Sequence, residues 1–228
     1  MMKRVFLFVL GCLMCGLMKA QHQQVFDEYR REAGDLAELF IGKMEVGYSS
    51  VVYRNFPYLY SDDFVAGDVM YNGLWYRNVL MRYDAYLKQL VVNTPERQLN
   101  VSVPMHAVDK FILYGTSYER RDGEIVAVLF SSPHMELIEK VDPFIYEEIE
   151  NEVAFRYRFS RSVRYFVLRE GKKYEVGKLR SVLKLYPSMK KELKRYAKTN
   201  RLDFSEDRKS SLISLIKYTD ELLTQTLN

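Results

Sequence analysis

The chain has 228 residues, of which 48% are apolar and 14% aromatic, and it contains two cysteines. Without its first twenty residues it loses Lys3, Arg4 and Lys19, so 31 of its 34 basic residues remain against 30 acidic ones. A nearly neutral protein of this kind has no electrostatic reason to bind nucleic acid. The composition is that of a globular protein with one full core, or with two small ones that share an interface.

The N-terminus has the pattern of a secretory signal peptide, residues 1–20. A basic start, Lys3 and Arg4, precedes the apolar run Val5–Met18, and a small residue, Ala20, stands at the expected cleavage position. The run is short for a membrane span, which takes about 20 apolar residues. The sequence therefore predicts an exported protein that is periplasmic, associated with the outer membrane, or secreted.

Both cysteines, Cys12 and Cys15, lie in the apolar run, so the mature protein would contain no disulfide. One alternative is that Cys12 becomes a lipid-modified N-terminus, because the residues before it resemble the lipobox of bacterial lipoproteins. Only about six apolar residues would then precede the cut, whereas such runs usually have about 7–15.

An amphipathic helix is predicted over Val25–Ile41, where apolar residues recur at helical spacing with charged residues between them. Gly42 follows the last periodic residue, at a position where helices commonly end. The apolar residues of this pattern are Val25, Phe26, Tyr29, Ala33, Leu36, Ala37 and Phe40.

A β-hairpin is predicted around Asn72-Gly73, because both residues tolerate the left-handed conformation that a two-residue turn requires. Counting outward from this turn gives the register. The expected opposite pairs are Tyr71–Leu74, Val69–Tyr76, Val65–Leu80, Met70–Trp75 and Asp68–Arg77.

More strands follow the hairpin, and the short links between them favour an antiparallel meander. They are predicted at Gln89–Asn93, Leu99–Val103, Lys110–Tyr114 and Ile125–Phe130. A second antiparallel patch is predicted from the alternation over residues 153–159 and from Val163–Leu168, which pairs back to Tyr174–Val176. The pattern leaves the structure of Pro133–Glu152 open.

The C-terminus is predicted to be helical at Leu179–Leu185, from Pro187 to about Thr199, and after Ser205 as N-cap. The last helix has one apolar stripe, formed by Leu212, Leu215, Ile216, Leu222 and Leu223. The expected fold is α+β, in which antiparallel meander sheets pack against an N-terminal helix and two to three C-terminal helices. One domain over residues 21–228 is the default, and a subdivision near residues 135–150 is the alternative.

No residues in the sequence form a recognisable catalytic or metal-binding motif. The histidines, His22, His106 and His134, have spacings that match no metal site, and the mature chain has no thiol nucleophile. The sequence predicts neither a cofactor nor enzymatic activity. Seven acids between Pro133 and Glu152 invite comparison with hydrolase or calcium sites, but no calcium-loop motif is present.

Two other features indicate binding. Twelve lysines and arginines between Arg169 and Arg201 face only three acids, so this stretch can meet lipid headgroups, an acidic polysaccharide or the chain's own acidic segment. Strand aromatics can bind sugar rings or an acyl chain, or can instead form the core. The candidate ligand-binding aromatics are Tyr71, Trp75, Tyr76, Tyr83 and Tyr86.

The run from Gly67 to Leu80, its continuation to Val92, and the pattern from Tyr165 to the final helix resemble a set of uncharacterised secreted proteins common in Bacteroidetes. The resemblance implies export and a Gram-negative envelope, and it assigns no activity or catalytic residue.

Three functions are therefore weighed for an exported envelope protein. The first is a non-catalytic binding module for a partner, with at most peripheral membrane contact through residues 169–201. The second is a carrier that holds a lipid or other hydrophobic ligand in a curved sheet. The third is a hydrolase of envelope polymers.

We expect a Gram-negative host to convert the full chain to a form that begins at Gln21, which intact-mass measurement of the exported protein tests directly. A mass that corresponds to an acylated chain beginning at Cys12 would instead establish the lipoprotein alternative. Retention of the complete N-terminus on the exported protein would contradict both.

Overall fold

The computed structural model describes residues 37–95, 98–151 and 154–227, together with Glu28, Arg31 and Gly34; for residues 149–151, 154, 155, 226 and 227 it describes the backbone alone. The predicted signal peptide and His22 lie outside the described residues. So does most of the predicted helix Val25–Ile41. At its described end, Glu38–Phe40 form a single 3-10 turn, and Ile41 is exposed.

The described residues form eleven strands and three α-helices. The strands are β1 (Lys43–Met44), β2 (Val65–Tyr71), β3 (Leu74–Asp84), β4 (Gln89–Asn93), β5 (Asn100–Val103), β6 (Val108–Leu113), β7 (Thr116–Arg121), β8 (Glu124–Ser131), β9 (Glu136–Asn151), β10 (Ala154–Arg169) and β11 (Lys172–Val176). The helices are α1 (Leu179–Leu185), α2 (Lys190–Thr199) and α3 (Arg208–Leu227).

The chain divides into two compact units. The first consists of the described residues up to Gly47 and of Tyr58–Tyr114, and the second consists of Tyr48–Pro57 and the residues from Gly115 onward. Strands β1 to β6 belong to the first unit. Strands β7 to β11 and the three helices belong to the second, so mostly antiparallel sheet combined with helices confirms the α+β class.

In the first unit the strands pair antiparallel in the order β1-β5-β4-β3-β2-β6. Strands β2 to β5 form the predicted meander, but β6 returns to lie beside β2. Four strand spacings of about 4.8 Å would separate β5 from β6 in a flat sheet. Only Pro104–Ala107 join them, and Met105–Ala107 form a compact 3-10 turn, so the sheet must curl.

The curl is consistent with the contacts inside the unit. The rings of Tyr83 on β3 and Phe111 on β6 lie 5.3 Å apart between centroids, although β2 separates these strands in the sheet order. Strand β3 pairs with β2 along its first part and with β4 along its last four residues, so these two neighbours are staggered along it.

The register predicted from Asn72-Gly73 is confirmed close to the turn and is wrong farther away. The confirmed pairs are Tyr71–Leu74, Val69–Tyr76 and Met70–Trp75. Val65, however, lies opposite Met81 and not opposite Leu80.

A β-bulge causes this one-residue shift. Arg77 and Asn78 together lie opposite Asp68, and Asn78 has a left-handed backbone with φ of 54°. The Asp68 carboxylate holds both residues, because it pairs with the Arg77 guanidinium at 2.7 Å and accepts the Asn78 N–H at 3.0 Å. The predicted meeting of Asp68 and Arg77 is therefore confirmed, and the same carboxylate accounts for the register that the turn alone did not predict.

In the second unit β7 to β11 form an antiparallel meander in chain order. Strand β9 lies entirely within the stretch Pro133–Glu152, whose structure the pattern leaves open. Helices α1 to α3 cover one face of this sheet near Leu137 and Val167. The helix side chains in this core include Val182, Leu183, Tyr186, Leu193, Leu212, Leu215 and Ile216.

The C-terminal helices agree with the sequence except at their starts. Helix α1 has the predicted bounds, whereas Pro187–Met189 form a 3-10 turn before α2. Ser205 does not cap α3, since its own N–H binds the side chain of Asp203. Asp207 is the N-cap of α3 instead, because its carboxylate accepts the N–H of Ser210 at 3.4 Å.

Replacing Gly67 with alanine should destabilise the first unit, because the added methyl group would overlap the backbone oxygen of Ile112 and the Met81 side chain. We expect Gly67→Ala to lower the free energy of unfolding by about 1–3 kcal/mol. Urea denaturation followed through Trp75, the single tryptophan, reports this unit. Gly47→Ala is the control, since a methyl group there meets open space. Equal stability of both variants would contradict the close approach of β2 and β6.

Candidate functional site

Three of the five candidate ligand-binding aromatics are buried. Tyr76 is completely inaccessible, and Tyr71 and Tyr83 are each 5% exposed. The rings of Tyr71 and Tyr76 meet edge to face at 6.3 Å. These three rings contribute to the packing of the first unit.

The other two candidates, Trp75 and Tyr86, are placed differently. Trp75 lies under two cations of its own chain, the Arg77 guanidinium at 4.2 Å and the Lys110 ammonium at 5.3 Å from its ring. Tyr86 is 38% exposed in the turn between β3 and β4. The five aromatics therefore do not form one open surface.

A groove of about 660 Å³ opens in the first unit beside β1. Its lining combines six apolar side chains with six charged or polar ones and contains none of the candidate aromatics. One buried carboxylate, Asp84, also lines it and accepts the N–H of Leu87 at 2.8 Å. The lining residues are Gly42, Lys43, Met44, Glu45, Val46, Asp84, Leu87, Lys88, Gln89, Ser102, Val103, Pro104 and Met105.

Arg82 is a largely buried cation of the first unit, with a side chain 14% exposed, and the sequence analysis did not identify it. Its guanidinium lies 3.9 Å from the ring of Tyr58 and 4.4 Å from that of Phe64, and it pairs with Glu45 at 2.6 Å. Tyr58 also donates its hydroxyl to Glu45 at 2.8 Å. Burial, and then this hydrogen bond, raise the pKa of Tyr58. In the sequence, the recurring aromatic residues over 56–64 were the signal from which this site could have been found.

Several acids of the acidic stretch form ion pairs with cations of the sheet that the stretch helps to build. Glu136 pairs with Arg121, Asp142 with Arg164 and Lys140, and Glu148 with Arg158. Arg158 and Arg164 come from the adjacent strand β10, whereas Arg121 lies on β7 and Lys140 on β9 itself.

The carboxylates of this stretch do not converge as a hydrolase would require. Glu147 and Glu148 are successive residues of a strand, so their side chains point to opposite faces. Glu147 accepts a hydrogen bond from the hydroxyl of Tyr157 at 3.3 Å. Glu139 contacts Lys209 of α3. None of the ion pairs that the described acids of this stretch make reaches α1 or α2.

Ion pairing changes the titration of two of these acids. Hydrogen bonds from Arg121 lower the pKa of Glu136, against the effect of its burial. Burial alone would raise the pKa of Asp142, but bonds from Arg164 and Lys140 outweigh it and lower the pKa.

A basic surface covers α1, α2 and the residues beside them. Nine of its cations are exposed, and none makes an ion pair with any residue in the described part of the chain. We call this set the basic helical surface. It comprises Lys178, Arg180, Lys184, Lys190, Lys191, Lys194, Arg195, Lys198 and Arg201.

The folding of α2 explains why its cations share one side. Leu193 and Ala197 are buried and Tyr196 packs against the same core, so the five lysines and arginines of α2 lie on the opposite, exposed side. Lys190, Lys194 and Lys198 follow one another at four-residue spacing, which places like charges next to each other along the helix.

Neither described histidine is part of a metal site. His106 is exposed in the turn before β6, and His134 lies in the turn before β9. Across residues 37–95, 98–151 and 154–227, no group of three or more His, Cys, Asp or Glu side chains is placed to hold a metal ion. No helix among these residues has the length and apolar character needed to cross a membrane.

Comparisons with protein-family models, with curated proteins and with solved structures found no match to this chain.

The pair of Glu136 and Arg121 should make the second unit sensitive to acid. Since the folded-state pKa of Glu136 is lowered, its contribution is complete above the ordinary glutamate value of about 4.3 and is lost as the pH falls through the folded value. We expect Glu136→Gln to cost about 0.5–1 kcal/mol at pH 7 and progressively less as the pH falls below about 4. Circular dichroism during urea unfolding measures this.

Glu170→Gln is the matched control, because the Glu170 side chain is 71% exposed in its pair with Arg169. It should change stability little at neutral or acidic pH. A Glu136→Gln variant with the same deficit at pH 3 as at pH 7 would show that ionisation is not the cause.

Proposed function

We propose that the chain is an exported, non-catalytic binding module that attaches to an anionic surface of the cell envelope through its basic helical surface. The observation that carries this proposal is the set of nine exposed cations without ion pairs among the described residues. An anionic partner would supply the charge that the chain itself does not.

The like charges on α2 destabilise the helix, and the packing of the fold does not require them. Neighbouring like charges four residues apart destabilise a helix by about 0.2–0.5 kcal/mol per pair. Lys190 and Lys191 also stand in the first turn of α2, where the helix dipole disfavours cations. A bound polyanion or anionic membrane would turn these unfavourable terms into attraction.

Support for export comes from the sequence. Residues 1–20 have the signal-peptide pattern, and both cysteines lie within it. The resemblance to uncharacterised secreted proteins of Bacteroidetes agrees with this location and stays a prediction.

The test is binding to vesicles that contain equal amounts of phosphatidylglycerol and phosphatidylcholine. Each lysine near an anionic surface contributes about 1 kcal/mol, so Lys191, Lys194 and Lys198 changed together to Gln should weaken binding about 100-fold. The control changes Lys43, Lys88 and Lys217 to Gln, which removes the same charge elsewhere and should leave binding within about threefold. Cosedimentation measures both.

Two further measurements separate the sources of negative charge. Vesicles of phosphatidylcholine alone should not bind, and about 0.5 M salt should release the protein from the anionic vesicles, since screening weakens surface attraction. Binding to polygalacturonate with no binding to vesicles would identify an acidic polysaccharide as the partner. Equal binding by both triple variants would contradict the proposal.

A second candidate function is the carrying of a hydrophobic ligand, which the groove beside β1 favours. Its volume of about 660 Å³ is within the range of small-molecule sites, about 300–1,000 Å³. Met44, Leu87 and Val103 supply apolar contacts, and methionine adapts well to varied ligands.

Native mass spectrometry of protein purified from its own host tests the carrier function. We expect a small-molecule adduct that is lost on denaturation and that Leu87→Asp reduces severalfold. Leu80→Asp is the control, because Leu80 is exposed to a similar extent, 48% against 50%, and does not line the groove. A protein that carries no adduct would count against this function.

A further inference from the structure

The segment before β2, residues 58–64, is held firmly against the first unit. Tyr58 and Phe64, at its two ends, both stack on the Arg82 guanidinium, at 3.9 Å and 4.4 Å. Arg82 also donates a hydrogen bond to the backbone oxygen of Asp62. The residues between the two rings are therefore fixed in place.

Tyr60, in the middle of this segment, meets Tyr114 at the end of β6. The ring centroids are 5.0 Å apart and the ring planes are inclined by 76°, so each ring presents its edge or face to the other. Both side chains are 43% exposed. The two rings form a right-angled corner that is open to solvent, and we call it the aromatic corner.

The backbone at both tyrosines is left-handed. Tyr60 has φ of 64° and Tyr114 has φ of 51°, a region that bulky side chains rarely adopt. Asparagine or glycine would suit either position better. At Tyr114 the left-handed backbone belongs to a two-residue turn with Gly115, whose φ is 70°. Tyr60 lies instead in a tight bend, where the N–H of Ser61 donates to the backbone oxygen of Leu59 at 2.8 Å. Strained conformations of this second kind persist where the surroundings impose them, and they cluster at ligand sites.

A carboxylate stands beside the aromatic corner. The Ser61 hydroxyl donates to Asp63 at 2.8 Å and accepts the Asp63 N–H at 3.1 Å, which orients the carboxylate. Burial, and then the charge of Asp63, raise the pKa of Tyr114, so the carboxylate acts on that phenol. Asp62 is exposed next to it.

We propose that the aromatic corner binds an arginine side chain of a partner polypeptide, with the guanidinium against the rings of Tyr60 and Tyr114 and its charge facing Asp63. Aromatic faces carry negative charge density that attracts cations. Carboxylates only accept hydrogen bonds, and the fork of a guanidinium donates several.

The chain binds one arginine of its own in the same way. Arg82 lies against the two rings of Tyr58 and Phe64 and is neutralised by one carboxylate, Glu45, at 2.6 Å. The aromatic corner repeats this combination of two rings and one carboxylate at the surface, with Tyr60 and Asp63 on the same segment and Tyr114 at the end of β6. A neutral sugar would gain nothing from the negative charge of Asp63, whereas a guanidinium would form a charge-assisted hydrogen bond with it.

The experiment is a titration of the isotopically labelled protein with the blocked peptide Gly-Arg-Gly, followed by NMR. The peptide should shift the signals of residues 60–63 and 114, and a matched peptide with citrulline in place of arginine should not. Tyr60→Asn, Tyr114→Asn and Asp63→Asn should each weaken binding about fivefold or more. Tyr146→Asn, a tyrosine of similar exposure in the second unit, should leave it unchanged.

Loss of folding is distinguished by thermal unfolding. Because asparagine tolerates left-handed φ better than tyrosine, Tyr114→Asn should not lower Tm even though it weakens binding. Equal binding of the citrulline peptide would overturn the proposal, as would binding by Tyr114→Asn at the level of the original chain. Displacement of the arginine peptide from these residues by a neutral oligosaccharide would overturn it as well.

Discussion

The structure depends on the register of its antiparallel strands, which short left-handed turns set. Asn72-Gly73, Asp122-Gly123 and Glu170-Gly171 all have positive φ at both residues, from 50° to 77°. This geometry matches the twist of the strands that each turn joins. A slip by one residue would move every side chain of a strand to the other face, so these turns decide which residues form the cores.

In the second unit the register also decides the electrostatics. Leu137 and Val167 face the helices, while Lys140 and Arg164, opposite each other on the other face, both reach Asp142. The acids of β9 find their partners across the sheet and at α3. Because these pairs form within the sheet, the cations of α1 and α2 remain available to another molecule.

Local signals predicted much of the fold. The bounds of α1 and β4, and the hairpin at Asn72-Gly73, follow from periodicity and turn chemistry that nearby residues determine. The bulge at Asn78 was not predictable, because it depends on the Asp68 carboxylate binding the backbone of the facing strand. Strand β7 was missed because its sequence, Thr116–Arg121, is mostly polar. The pairing of β6 with β2 depends on contacts between residues far apart in sequence, which no local pattern encodes.

The candidate surfaces show the same contrast between features that the local sequence predicts and features that depend on tertiary contacts. Composition alone identified the basic stretch 169–201, but only the sheet pairs showed that the acidic stretch does not neutralise it. Aromatic content alone did not separate Tyr76, which is buried, from Tyr60, which is exposed. Tyr76 lies on β3 with its side chain in the core, whereas Tyr60 lies in the segment before β2. The enclosure of Arg82 follows from contacts between segments far apart in sequence.

Strand β11 ends the sheet of the second unit with a row of charges. It has only five residues, it pairs with β10, and Lys172, Lys173 and Glu175 are exposed on it. An uncovered strand edge offers backbone groups that another chain can join, and short, charged edges discourage this. A second copy of the protein would therefore gain little by adding a strand at β11, which works against growth of the sheet into fibres at this edge.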